Sequence, residues 1–258
     1  MIYRLAHWNA ASLTIVLFIA LIVYASSPQA SSAPCKVKAA PEWSDAEKWI
    51  WEKLCMGDPA GLDEYRGRGT DSDTHSSNTT LITSHFLRTI ATEDPWKSAL
   101  PPQGIRIGFA RITDRLDLWQ AELTRPLAIL NSVFLADVQL ENVSSNSGIW
   151  LSGSVFKQSL GMSGMRVAGG LDLAGIQLGD HLLLSDIFVE STMSLAHAKL
   201  RSLDLRRAKI AGDLDLTGLI TTHVGNALSP LTMPVPGGAL GNTSLDQYND
   251  SFYQLPVV

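Results

Sequence analysis

Pairs of apolar residues two positions apart recur every eleven residues between Ile105 and Leu216, and few folds accommodate that spacing. The pairs are Ile105/Ile107, Leu116/Leu118, Leu127/Ile129, Val138/Leu140, Ile149/Leu151, Leu160/Met162, Leu171/Leu173, Leu182/Leu184, Met193/Leu195, Leu203/Leu205 and Leu214/Leu216. One step, from Met193 to Leu203, is ten residues. A second series falls between them at steps of five and six and includes Ile112, Leu123, Phe134, Phe156, Val167, Leu178, Val189, Leu200 and Ile210. Residues two apart on an extended chain point the same way. A helical period of 3.6 does not fit this pattern, and neither does a hairpin sandwich. A chain that turns every five or six residues closes a four-sided coil, and stacked coils pair their short strands about 4.8 Å apart.

The spacing therefore predicts a mainly β fold. Its centre is a right-handed quadrilateral parallel β-helix of about five coils, with an eleven-residue half-coil repeat. Four inward columns follow. One holds Ile107, Ile129, Leu151, Leu173, Leu195 and Leu216. A second holds Ile112, Phe134, Phe156, Leu178 and Leu200. The third holds Leu118, Leu140, Met162, Leu184 and Leu205, and the fourth Leu123, Ser145, Val167, Val189 and Ile210. The polar Ser145 predicts local distortion over residues 142–148.

A solenoid needs its end edges covered. Two short amphipathic helices ahead of the repeat suit that role. Ser44 and Glu47 form a capping box, and Gly57 ends the helix they open. Its buried face is expected to hold Ala46, Trp49, Ile50, Lys53 and Leu54. The second covers about Thr83 to Thr92, with Pro95 just beyond. Residues 58–78 between them are polar and turn-rich and read as loop. The organisation is a membrane anchor or signal segment at 1–26, a linker at 27–42 and a helical cap with its loop at 43–103. The solenoid fills 104–220 and a Pro/Gly-rich tail 221–258.

Arg4 precedes an uncharged apolar run over residues 10–25, and no Lys or Arg follows until Lys36. The run reads as a single-pass anchor flanked by Trp8 and Tyr24, as a signal peptide cleaved near Ala25, or as a buried helix. The charge order places the body outside the cytoplasm, in the periplasm. There Cys35 and Cys55, with no metal-site spacing around them, are expected to pair as a disulfide.

The stretches RITDRLDLWQAELTRPLAIL and AKLRSLDLRRAKIAGDLDLTG, with ITSHFLRTI and GIRIGFARITDRLDL upstream, resemble the pentapeptide-repeat superfamily in its divergent form. That form is found among bacterial membrane-associated proteins. The resemblance spans about Leu81 to Leu219. It implies a quadrilateral β-helix and says little about activity. Gyrase-targeting proteins of that superfamily resemble acidic DNA rods. Here residues 105–216 carry 12 Asp/Glu and 11 Lys/Arg, a net of −1, which together with the expected export argues against that role. A net charge of −5 for the 258-residue chain also argues against nucleic acid as a partner.

The sequence points to no catalytic residue, no metal site and no cofactor. His181 and His197 are 16 apart, which is not one coil. No glycine-rich phosphate loop follows a strand, and Gly169-Gly170 reads as a corner. Outward acids recur at Asp117, Asp172, Asp204 and Asp215, where a solvated face is the expectation and glycosidase-like chemistry the alternative. Outward aromatic and apolar residues, Trp119, Trp150, Leu183 and Phe188, are the candidates for a partner surface. The expected function is a non-enzymatic envelope scaffold or protein-interaction module with an envelope protein partner. The alternative is a polysaccharide-binding or polysaccharide-active envelope protein.

Overall fold

The computed structural model describes residues 35–67 and 81–222. The apolar run of residues 10–25 and most of the tail lie outside the described residues. Among the described residues no helix is long and apolar enough to cross a membrane.

The body is a mainly-β parallel solenoid of about five turns with a few short helices. Its strands are mostly two residues long and pair in four ladders. Ladder I runs Ala60–Gly61, Ile105–Gly108, Leu127–Leu130, Ile149–Trp150, Leu171–Asp172, Met193–Ser194, Leu214–Asp215. Ladder II runs Leu81–Ile82, Arg111–Ile112, Val133–Phe134, Val155–Phe156 and into Gln177–Leu183, Lys199–Asp204 and Ile220–Thr221. Ladder III runs Leu116–Asp117, Val138–Gln139, Leu160–Gly161 and joins the same two long strands. Ladder IV runs Glu122–Leu123, Ser144–Ser145, Arg166–Val167, Phe188–Val189, Lys209–Ile210. Each inward column expected from the spacing lines up, and its middle members are buried. Phe134 and Phe156 stack at 4.7 Å, their planes 5° apart.

Polar inward residues fit because the backbone satisfies them. Ser132 and Ser154 are fully buried. The Ser132 hydroxyl accepts the Ala110 amide and donates to the Leu130 carbonyl, while Ser154 accepts the Ser132 amide and donates to the Ile129 carbonyl. Ser145 bonds both ways to the backbone of Ser147 and pairs in register with Leu123 and Val167. The distortion expected at 142–148 is therefore absent from the ladder, because a hydroxyl closing on its own turn needs no change of register.

The irregularity sits at the ten-residue step. Gly179, Asp180 and His181 separate Leu178 from Leu182, whereas only Arg201 and Ser202 separate Leu200 from Leu203. The pairing slips by one residue there, and the chain runs straight through this corner in both coils. Ladders II and III consequently merge into one ten-stranded sheet.

Corners repeat as strictly as strands. Phe109, Gln120, Asn131, Asn142, Gly153, Gly164, Gly175, Asp186, His197, Arg207 and Gly218 all hold positive φ, at eleven-residue spacing with the one step of ten. Most are bracketed by a bond such as Val143 N–H to Leu140 C=O or Ala208 N–H to Leu205 C=O. That places positive φ at the third residue of a four-residue turn, the type II arrangement. The outward acids support these turns. The carboxylates of Asp117, Asp172, Asp204 and Asp215 accept the amides of Trp119, Ala174, Arg206 and Thr217, two residues on.

The N-terminal edge is closed by the cap. Helices cover Asp45–Cys55, Leu62–Gly67, Ser84–Thr92 and Trp96–Ala99. Residues 58–78 are thus not all loop. Ala60–Gly61 adds a strand to ladder I and a short helix follows, a contribution too brief to leave a sequence period. The first helix buries Ala46, Glu47, Ile50, Trp51 and Leu54. Trp51 rather than Trp49 lies inside, its indole N–H donating to the Val37 carbonyl at 2.8 Å. Trp49 flanks it against Tyr65, with Lys53 over its ring. Trp43 packs edge-on to Phe86 and Trp51. Cys35 and Cys55 are bonded with Cα atoms 5.3 Å apart. Together with Trp51 and the Trp96 indole bond to Lys38, this bond draws residues 35–40, read as linker, onto the cap.

Two carboxylates join the parts. Glu47 is buried. One oxygen accepts the Ser44 amide, closing the capping box, and the other accepts the amide and hydroxyl of Thr83, whose hydroxyl caps the second long helix at Phe86. Asp114, just beyond ladder II, accepts the amide and hydroxyl of Ser84. Partial burial works to raise the Asp114 pKa. The Ser84 hydroxyl and amide bonds outweigh it and hold the carboxyl below its ordinary 3.8.

These contacts set three expected outcomes. Leu173→Asp buries an unpaired charge at a fully buried column position and should cost about 4–5 kcal/mol or more. Thermal melting should show the solenoid lost. Glu47→Ala leaves several donors unsatisfied and should cost about 1.5–3 kcal/mol in denaturant unfolding. The Asp114 carboxyl, depressed in the folded state, contributes stability in full above its unfolded pKa and loses it as pH falls through the folded value. The acid limb of a melting-temperature profile below about pH 4 should flatten in Asp114→Asn.

Candidate functional site

The four outward residues singled out from the sequence do not form one surface. Trp150 is on ladder I, Phe188 on ladder IV, and Leu183 on ladder III, with Trp119 at the corner that ends ladder III. Trp150 and Phe188 are half-buried. The Trp150 indole folds across Gly148, where a Cβ would lie 2.2 Å from the ring. Trp119 and Leu183 are 58% and 41% exposed, so the accessible apolar surface of this set belongs to the ladder III side.

That side carries an open groove of about 800 Å³ lined by Arg115, Asp117, Trp119, Gln139, Glu141, Asn142, Ser163, Gly164 and Asp186. It crosses four successive coils, a length of about 14 Å at 4.8 Å per rung. It exists because the third coil has almost no side chains there. The outward column of ladder III reads Asp117, Gln139, Gly161, Leu183 and Asp204, and the adjoining corner of the same coil is Ser163-Gly164. Side chains of the second coil lie lengthwise over that gap. A Cβ on Gly161 would meet Glu141 Oε1 at 2.1 Å, and one on Gly164 would meet Asn142 Oδ1 at 2.3 Å.

The groove's polar groups are unevenly committed. Asp117 Oδ1 supports the turn at Trp119, and Arg115 bonds Gln139 and lies 3.9 Å from Asp117 Oδ2. The Arg207 guanidinium bonds Asp186 through two nitrogens at 2.6 Å, lowering the pKa of that carboxyl. Glu141 Oε2 is buried and has no hydrogen-bond partner. Across the Trp119 ring is a second hollow of about 220 Å³, lined by Arg88, Thr92, Asp117, Leu118 and Ala121. Trp119 therefore stands as a ridge between two depressions. Sequence reasoning missed Glu141, Asn142 and Gly161. The break at Gly161 in an otherwise side-chain-bearing outward column was the available signal.

The remaining candidates stay apart. Asp172 and Asp215 flank Ser194 on ladder I, two rungs or about 10 Å from each other. Asp204 is paired with Arg206, whose bond lowers its pKa. His181 sits at the ladder II–III corner beside Ser202 and Asp180, while His197 lies over Gly218 at another. Gly169 marks close approach of backbone between coils, since a Cβ would meet the Gly148 nitrogen at 2.4 Å. Among the described residues no group of His, Cys, Asp and Glu is arranged to hold a metal ion. Compared with protein-family models, with curated proteins and with solved structures, the chain matches none of them.

Proposed function

We propose that this chain is a non-enzymatic scaffold of the bacterial envelope, a divergent pentapeptide-repeat-like protein whose solenoid presents one ligand-holding side. We take the solenoid as right-handed and four-sided, and residues 10–25 as what carries the chain to the membrane, as an anchor or as a signal removed near Ala25. The body then lies in the periplasm. One observation carries the reading: the exposed Trp119 indole stands beside a groove that spans four coils. Exposed aromatics on a rigid frame mark interaction sites. The four carboxylates that recur between inward leucines are engaged in turn closure, which favours a scaffold over a hydrolase.

Two classes of envelope component come into question as the partner, protein and polysaccharide. Carboxylate and amide groups around an exposed indole favour polysaccharide as what this groove holds. Trp150 and Phe188, on other ladders, would belong to separate contacts.

A photo-reactive residue placed at 119, 150 or 188 of the full-length chain in native membranes tests the one-sided reading. Adducts should concentrate at 119. Equal labelling from all three positions would defeat it.

A further inference from the structure

The Trp119 groove has a chemistry that selects among ligands. We propose that it is a subsite for a neutral or amino-bearing glycan chain running along the solenoid axis, with Trp119 as its stacking platform and Glu141 as its specificity-determining acceptor. This rests on the reading of the groove as a ligand-holding surface.

Charge decides the class. Arg115 lies 3.9 Å from Asp117 and Arg207 offsets Asp186 from the rim, so of the three carboxylates lining the groove Glu141 is the one left without a cation, and the local balance is acidic by one charge. An acidic glycan would bring like charge into this field. A hydroxyl- or ammonium-bearing chain supplies the donors that three carboxylates and the Gln139 and Asn142 amides accept. The ring face carries negative potential, and the C–H face of a sugar ring or an ammonium group rests on it favourably.

The unpartnered Glu141 oxygen points to a ligand donor independently. A buried acceptor without a partner is costly to folding. The carboxylate lies over Gly161 with Oε1 the nearer oxygen, and the terminal torsion of a glutamate is soft, so rotation about it presents Oε2 to the groove. The depressions on either side of Trp119 give a chain two places to continue, which suits an oligomer rather than a single small molecule.

A peptide fits less well. Extended peptides add to free strand edges or seat side chains in apolar pockets. Here Val138–Gln139 is paired on both sides, by Leu116–Asp117 and by Leu160–Gly161, and the lining is polar.

The test uses the full-length chain in detergent and three probes: a tetramer of N-acetylglucosamine, its fully deacetylated form, and a tetramer of galacturonic acid. Calorimetric titration should show the first two binding, the deacetylated one more tightly, and the uronate not at all. Trp119→Ala should weaken both by about tenfold, the loss of an aromatic anchor. Glu141→Gln should reduce the preference for the deacetylated probe, while Trp150→Ala on ladder I leaves all three titrations unchanged. Unaltered melting temperatures will show that the variants are folded. Uronate binding equal to the neutral probe, or Trp119→Ala binding like the parent, would overturn the assignment. So would no binding of either glucosamine probe. In that last case the photo-reactive residue at 119 separates the two ideas: a protein adduct keeps the scaffold and ends the glycan subsite, and no adduct ends both.

Discussion

Contact between coils, rather than within a coil, holds this molecule together. Strands of two residues have no independent stability. Each persists because Phe134 stacks on Phe156, Ile107 lies over Ile129, and the ladder continues through the corners. The Asn131 amide bonds the Ser152 carbonyl one coil on, and the Gly153 amide bonds Ala174. Corners that pair with one another must share one shape. That requirement holds Phe109, Gln120, Asp186, His197 and Arg207 in a left-handed conformation that costs a non-glycine residue about 1–2 kcal/mol. A single such residue on a free loop would relax. In the stack the neighbouring coils over-determine it.

The same dependence makes the first coil the weak point, since nothing in the repeat precedes it. The cap solves this in two steps. Ala60–Gly61 and Leu81–Ile82 extend ladders I and II by one rung, so the edge is displaced to very short strands. Helices then cover the rung, with Phe86, Ile90, Trp51 and Leu54 fully buried. Glu47 and Asp114 fix the orientation of these parts where apolar contact alone would leave it loose. The disulfide closes residues 35–55 around the first helix and shortens the unfolded chain's freedom by a stabilisation of about 3 kcal/mol in the loop-closure account.

Much of this was legible because the inward columns obey a period. Leu173 could be placed from spacing alone, and the Ser44–Glu47 box announced its helix. Ala60–Gly61 could not be placed, because two residues carry no period and its pairing with Ile107–Gly108 joins positions far apart in sequence. Trp49 and Trp51 were exchanged because the helix buries an arc wider than one stripe, with the Val37 carbonyl drawing Trp51 inward. The turn column was available and unread: Asn131, Asn142, Gly153, Gly164, Gly175 and Asp186 stand eleven apart, all residues tolerant of positive φ. Asp117, Asp172, Asp204 and Asp215 looked like a solvated or reactive face. Their bonds run to backbone two residues on, a distance that alternation along a strand does not display.

Outward positions are where such a solenoid is free to vary, so departures there carry information that the core cannot. Glycine weakens a strand and packs nothing, yet Gly161 occupies the middle of ladder III, between Gln139 and Leu183. Its effect is to let Glu141 lie lengthwise along the rod. Any Cβ at that position would displace the carboxylate. The carboxylate so admitted has one oxygen unsatisfied. Neither the glycine nor the orphaned oxygen helps the coil to form, and the two together make the floor of the groove beside Trp119. The lost strand propensity and the desolvated acceptor both acquire a reason if the missing hydrogen bond is donated from outside the chain.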